Sequence, residues 1–248
     1  MPICHDPALV RPLLLTDEPG TRSIYNLIHD RAGARARWVR VDDLADPQAI
    51  IIRSGARFRN RRHYIYAASN HAAENLLAEI PRDWKLMFAA SPSRLARVVR
   101  KFRKFNFIHL NYLYVLEPEN LVTYRSHRVE SLRTEDAPRI ARLWANGRQL
   151  NYVRWRISAG PSAAIRRNGS LIAWGATHAD GSMAMLRVLE EYRGQGLARA
   201  ITYVLARRVI TWGLRPFLHI HRNNKASISL CESMGFTRHS LCAWFGQR

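Results

Sequence analysis

Cysteine is scarce in this chain. Cys4, Cys231 and Cys242 are the only three in 248 residues, and no Cys-x-x-Cys pair occurs. An odd count so widely spaced excludes a disulfide scaffold and a structural zinc site, and no metal is expected. A reducing compartment is the default. No apolar run reaches the roughly 18 residues of a membrane-spanning helix, so no membrane partner is expected. The opening residues lack the basic n-region and long apolar stretch of a secretory signal. Asp6, Asp17 and Glu18 come too early for a clear mitochondrial transit peptide. A cytoplasmic location is the expectation, with mitochondria as the second choice. Low-complexity tracts and short repeats are also missing.

Acids are few, 19 against 39 basic residues, which leaves a net charge of +20. Lysine is rarer still: Lys85, Lys101, Lys104 and Lys225 are the four, and the other 35 basic residues are arginines. Arginine grips phosphate with a planar fork that lysine lacks. The charge therefore predicts an anionic partner, and a phosphorylated cofactor, an acidic substrate and a nucleic acid all stay open. Apolar residues make up 47%, enough for an ordinary core, so long disorder and collagen are excluded.

The clearest break is Glu117-Pro118-Glu119-Asn120, a proline among solvated acids after a strand-like run over 110–116. It divides the chain into residues 1–120 and 121–248. In the first half, 49–52, 64–68 and 84–89 read as strands, and 70–80 has helical spacing. Ser91-Pro92 looks like a helix start, with the helix running to about Phe105. Arg94, Arg97, Arg100, Lys101, Arg103 and Lys104 fill much of its surface. A solvated face or a surface for an acidic partner would both explain them. Arg57, Arg59, Arg61 and Arg62 pose the same choice. Strands alternating with helices give this half an α/β character.

In the second half, Thr134 reads as the cap of a helix over 135–145, and 149–157 reads as a second helix. Strands follow over 163–165, 171–177 and 183–189, with Asn168-Gly169 as a hairpin turn. A helix over 196–211, a strand over 217–221, a helix over 225–234 and a strand over 240–245 complete the pattern.

One stretch carries chemistry. A buried strand ends near Leu189, and Arg193-Gly194-Gln195-Gly196-Leu197-Ala198 then opens a helix. The first turn of a helix has unpaired N–H groups and about half a positive charge. Glycines there let a phosphate approach the backbone, and Arg193 and Arg199 add charge. No Gly-Lys-Ser/Thr follows, so it is no Walker loop. Arg199 stands where a dinucleotide fingerprint needs its third glycine.

The stretch resembles the acyl-CoA loop of the GNAT superfamily of N-acetyltransferases, Arg/Gln-x-x-Gly-x-Gly/Ala, through Arg193, Gly196 and Ala198. Leu218 to Ile220 as a strand, then Asn224, Ser227, Leu230 and Gly235-Phe236, resemble the superfamily's later motif. Residues 129–144 are similar to its opening, so the resemblance covers roughly 122–248. Trp174, Gly181, 189–196 and 224–230 look similar to the glycine N-acyltransferase-like branch. Where that branch has a glutamate, this sequence has Ser182. Where many members have a tyrosine four residues before Gly-Phe, it has Cys231.

The resemblance implies an α+β GNAT fold, a mixed and mostly antiparallel sheet flanked by helices. A 1–120 half precedes it, for which a degenerate copy of the same fold is one origin. It implies acetyl-CoA or another acyl-CoA as co-substrate, with pyrophosphate on Gly194, Gln195, Gly196, Leu197 and Ala198 beside Arg193. Its pantetheine arm would run along Leu186 and Val188, and Asn224 and Ser227 would complete the site. A primary amine would attack the thioester directly in a ternary complex. His221, Cys231 and Ser182 are the catalytic candidates, with His178, Glu190 and Glu191 as further bases. A small amine or amino acid is the favoured acceptor. An acceptor amine on a protein or nucleic acid is the alternative, as is a non-catalytic acyl-CoA or nucleic-acid-binding module. A monomer and a homodimer are both consistent.

Overall fold

The computed structural model describes residues 1–31, 36–54, 62–80, 93–102, 104–145 and 149–246, with the backbone alone of 87–90 and 145. Trp84, the Ser91-Pro92 helix start, Arg103 and the arginines at 57, 59 and 61 lie outside these residues. The architecture is α+β, and the chain forms two compact units. One comprises Met1–Leu113 with His239–Arg248, and the other Tyr114–Arg238.

The first unit contains α1 (Arg11–Leu15), α2 (Glu18–Ile28), β1 (Ala36–Val41), β2 (Ala49–Ser54), β3 (Arg62–Ala67), α3 (Asn70–Ala78), β4 (Met87–Ala90), α4 (Leu95–Phe102) and most of β5 (Phe107–Val115). The body of β10 (Thr237–Gly246) returns to it from the far end of the chain. Strands β1, β2 and β3 pair antiparallel, β3 pairs parallel with β4, and β4 pairs antiparallel with β10. A parallel pair needs a crossover, and α3 supplies it. Ile51 lies opposite Ile65, so both project from one face of the sheet. There they join Leu76 and Leu77 of α3, Val98 and Val99 of α4, and Phe245 of β10 in one buried cluster.

Among the described residues, the first 48 hold a 3-10 turn over Pro7–Val10 and α1, α2 and β1, none of which apolar periodicity alone assigns. Helix α2 is the instructive one, because it buries Thr21, Arg22, Ser23 and Asn26 among its apolar residues. Its start is nonetheless written plainly: the Asp17 carboxylate accepts from the Gly20 N–H at 3.1 Å, with a proline in the first turn.

The second unit contains α5 (Ala137–Ala145), α6 (Leu150–Ala159), β6 (Ser162–Arg167), β7 (Ser170–Thr177), β8 (Met183–Val188), α7 (Leu197–Thr211), β9 (Phe217–His221) and α8 (Lys225–Ser233). Strands β6, β7 and β8 form an antiparallel sheet. Asn168 and Gly169 both take positive φ, 50° and 76°, as a two-residue hairpin turn requires. Thr134 does not cap α5. Its hydroxyl turns to Glu135, and the Asp136 carboxylate takes the Arg133 N–H at 2.8 Å instead. The reason is a 3-10 turn over Thr134–Asp136 that delays the α-helix until Ala137.

The order of α-helices and strands repeats between the two halves of the chain: two helices, three antiparallel strands, then helix, strand, helix, strand. No helix among the described residues is long and apolar enough to cross a membrane.

Candidate functional site

Strand β8 is irregular. Trp174 faces Arg187 and Ala176 faces Ala184, so Met185 and Leu186 share the single position opposite Gly175. Met185 takes a φ of 55°, a left-handed conformation rare for a side-chain-bearing residue. An extra residue of this kind bends a strand and aims its neighbours elsewhere. Among the described residues β8 pairs with β7 alone, and β9 belongs to a different sheet. A cleft of about 520 Å³ runs along this edge.

One end of the cleft is the start of α7. Gly196 is its cap residue, at φ 77°, and among the described residues the helix start has no side-chain cap. The helix's first amides carry the positive end of its dipole and line the cleft through Leu197, Ala198 and Arg199. A Cβ on Gly196 would meet the Tyr124 hydroxyl, the far end of a movable side chain, so it is chiefly the positive φ that favours glycine there. Tyr124 also lies beneath the Arg199 guanidinium, 5.6 Å from ring centre to Cζ. His127 Nε2 donates to the Gln195 carbonyl at 2.8 Å. The 123–127 segment thus braces the turn from one side. No motif in the sequence marks it.

Trp144 and Trp174 wall the cleft, and Ala226, Ser227 and Leu230 of α8 close it. Behind Trp144 lies a buried polar group. Arg156, fully buried, donates through Nε to the Thr177 carbonyl and through Nη2 to its hydroxyl, both at 2.9 Å. Asp180, also fully buried, accepts from the Ser182 hydroxyl at 2.6 Å and the Ser182 N–H at 3.1 Å. Burial opposes its charge, but His178, His219 and the two bonds from Ser182 prevail and hold the carboxyl below its ordinary value. Burial loosens the hold of Arg156 on its proton, an effect partly offset by Tyr152 and Asp180.

Residues 163–245 match the family model described as FR47-like protein. The chain is similar to a Drosophila protein of known structure, with 18% identity over 95% of this chain and 89% of that one, at a TM-score of 0.71. It is similar to a GCN5-related N-acetyltransferase from Kribbella flavida, with 14% identity over 93% and 95% of the two chains and a TM-score of 0.61. A putative acetyltransferase of the GNAT family from Novosphingobium aromaticivorans aligns at 18% identity over 93% and 99%, with a TM-score of 0.58. The chain has the fold of the GNAT acetyltransferases.

Within this GNAT fold, Leu186, Val188, Arg193, Gly194, Gly196, Leu197, Ala198 and Ser227 all line the cleft. Gln195 and Asn224 serve the frame: the first through its carbonyl to His127, the second as cap of α8, its side chain accepting from the Ser227 N–H at 3.2 Å. Ser182 is buried and its hydroxyl is committed to Asp180. Cys231 is buried on α8, and desolvation, then the nearby Glu232 charge, pushes its thiol up to about 12. His221 is exposed, and its Nδ1 accepts from the Asn223 N–H at 3.3 Å. Glu190 and Glu191 are exposed, and Glu190 pairs with Arg193 at 3.5 Å. Trp144, Tyr152 and Asp180 are the site neighbours that the sequence reading passed over. Among the described residues no group of His, Cys, Asp and Glu is placed to hold a metal ion.

Proposed function

We propose that this chain is an acyl-CoA-dependent N-acyltransferase. It moves an acetyl or other acyl group from CoA to a primary amine, by direct attack in a ternary complex. The supporting observation is a helix start with no side-chain cap, set at one end of a cleft whose other wall is a bulged edge strand. Anions belong at such a helix start. The CoA pyrophosphate fits the amides of Leu197 and Ala198, between the arginines at 193 and 199. The pantetheine arm, an extended chain of amides, fits the edge of β8 as an added strand. The thioester then comes near Val188, whose N–H would polarise its carbonyl. Orientation supplies much of the rate.

The glycine N-acyltransferase-like branch is our reading for the acceptor, a small amine or amino acid. It rests on Trp174, Gly181 and the 189–196 stretch. The repeated element order supports the N-terminal half as a second copy of the fold. The test is calorimetry with CoA and acetyl-CoA, then thiol release against a panel of primary amines. One binding site per chain and amine-dependent release are expected. Absence of heat with either ligand overturns the reading.

A further inference from the structure

Beside the position proposed for the thioester, the wall of the cleft turns from backbone to side chains. The Leu189 N–H donates to the Ile172 carbonyl at 3.0 Å. Bonded and unbonded positions alternate in an antiparallel pair, so Val188, opposite Ala173, turns its own N–H to the open edge of β8. One residue back stands Arg187, with Trp174 of β7 directly opposite. Opposed residues share one face of a sheet. Gly175 shows which face it is. A Cβ there would meet the Ile201 and Leu205 side chains of α7 at 3.0 and 3.2 Å. Trp174 and Arg187 therefore stand on the side away from α7.

Both residues line the cleft, as does Trp144 at the end of α5. Arg187 Nη1 donates to the Leu143 carbonyl at 2.6 Å, which anchors the exposed guanidinium next to Trp144. The anchor leaves its other N–H groups unspent. Arg193 pairs with Glu190 and Arg199 covers Tyr124, but among the described residues no carboxylate pairs with Arg187. Trp174 is fully buried, and its Nε1 has no hydrogen-bond partner among the described residues. An unpaired buried donor costs free energy that a ligand oxygen recovers. Guanidinium and indole N–H groups donate and never accept, so the group that satisfies both is an oxygen anion. A planar carboxylate matches the guanidinium fork. A phosphate would bring a further oxygen and more charge against indole carbon.

We propose that Arg187 and Trp174 bind the carboxylate of the acceptor, so that the amine acylated is that of an amino acid. The carboxylate takes the unspent donors of Arg187 and the Nε1–H of Trp174. Held there, it leaves the amine near Val188, the chain neighbour of Arg187 and the proposed seat of the thioester carbonyl. The two residues set specificity: they touch substrate and move no proton.

The proposal rests on the acyltransferase reading and narrows its acceptor from any small amine to one bearing a carboxylate. Calorimetry with acetyl-CoA tests that reading alone; Arg187→Gln and Trp174→Phe are expected to bind it within twofold of the parent. Acceptor recognition is read by thiol release from acetyl-CoA with matched compounds, each amino acid beside its primary amide and its decarboxylated amine. The parent should prefer the acid at least about a hundredfold in kcat/KM. In Arg187→Gln the preference should fall below about tenfold, through KM for the acid, with KM for acetyl-CoA unchanged. Trp174→Phe should lose about tenfold with acids and nothing with amides. Should Trp174→Phe fail to fold, NMR of the parent reports instead: in the CoA complex the Trp174 indole N–H signal should move downfield with the preferred acid and stay in place with its amide. Equal use of acid and amide, an acid preference that survives Arg187→Gln, an indole signal that ignores the acid, or a preferred aminoalkyl phosphate overturns the proposal. So does acetyl-CoA binding with no amino acid turned over, which leaves the cofactor site standing. Absence of acetyl-CoA binding overturns the acyltransferase reading itself, and the proposal with it.

Discussion

The chain makes the same strand-to-helix turn twice, after β3 and after β8. In the first unit the turn is stoppered. The Ser69 side chain accepts from the Ala72 N–H at 3.0 Å, and Arg94 reaches in to donate to the carbonyls of Ala67 and Ala68 and to the Asn70 side chain. Strand β3 is regular and bonded to β4 as well as β2. In the second unit the helix start has no side-chain cap, and β8 carries a bulge with only one strand partner among the described residues. The proposed acyl-CoA site lies where the chain leaves two things undone, the cap and the second strand pairing. Repeating the element order is not enough.

A second contrast lies in the buried arginines on the second helix of each unit. Arg22 is neutralised within its own helix by Glu18, with Nη2 to Oε2 at 2.5 Å. Arg156 instead bonds across to Thr177, and the Asp180 charge helps it keep its proton. The first charge is a local matter, while the second ties a helix to the turn beside the cleft.

Substitutions sharpen both contrasts. The largest effect should come from Asp180→Asn, which leaves Arg156 buried without that carboxylate. A loss of about 3–5 kcal/mol is expected at pH 7 by urea unfolding. Because the folded carboxyl titrates below its ordinary value, its contribution is full above the unfolded pKa of about 3.9 and fades as pH falls through the folded one. The gap between parent and variant should therefore close in acid. Gly196→Glu puts a side chain where Tyr124 stands and a negative charge at the open helix start. It should weaken acetyl-CoA binding at least about a hundredfold, or about 2.7 kcal/mol, by calorimetry. Arg94→Ala should cost about 2 kcal/mol of stability by removing the clamp, with acetyl-CoA affinity unchanged. Smallest is Ser69→Ala, about 1 kcal/mol by thermal unfolding. The double variant Ser69→Gly/Arg94→Ala is the critical one. Binding should stay at one acetyl-CoA per chain, since β3 remains paired on both sides. A second site would break the comparison.

Much of this was legible in advance, and unevenly. Gly194 and Gly196 announced the open turn because a phosphate-sized gap needs residues without Cβ atoms. Asn168-Gly169 announced the hairpin because few other pairs accept two positive φ values. The bulge at Met185 was not legible, since nothing in Met-Ala-Met-Leu-Arg-Val distinguishes an interrupted strand from a regular one. Helix α2 was masked by its buried polar residues. Tyr152 and Asp180 escaped notice because they lie 28 positions apart and only the packing of α6 against the β7–β8 turn joins them. The Arg94–Lys104 stretch looked like one basic face. Yet Arg94 bonds to the β3–α3 turn and Lys101 to Glu74 at 2.7 Å.

The last strand has a bearing on how the protein is made. Residues from His239 onward belong to the unit that begins at Met1, and β4 lacks its antiparallel neighbour until they are in place. The first unit thus stays incomplete on the ribosome through the synthesis of the entire second one. Neither half is a natural cutting piece for expression: a fragment ending at residue 120 exposes a bare strand edge, and its complement carries an orphan strand. Aggregation of such fragments, and slow refolding of the intact chain, follow from contacts that wait for the final stretch of sequence.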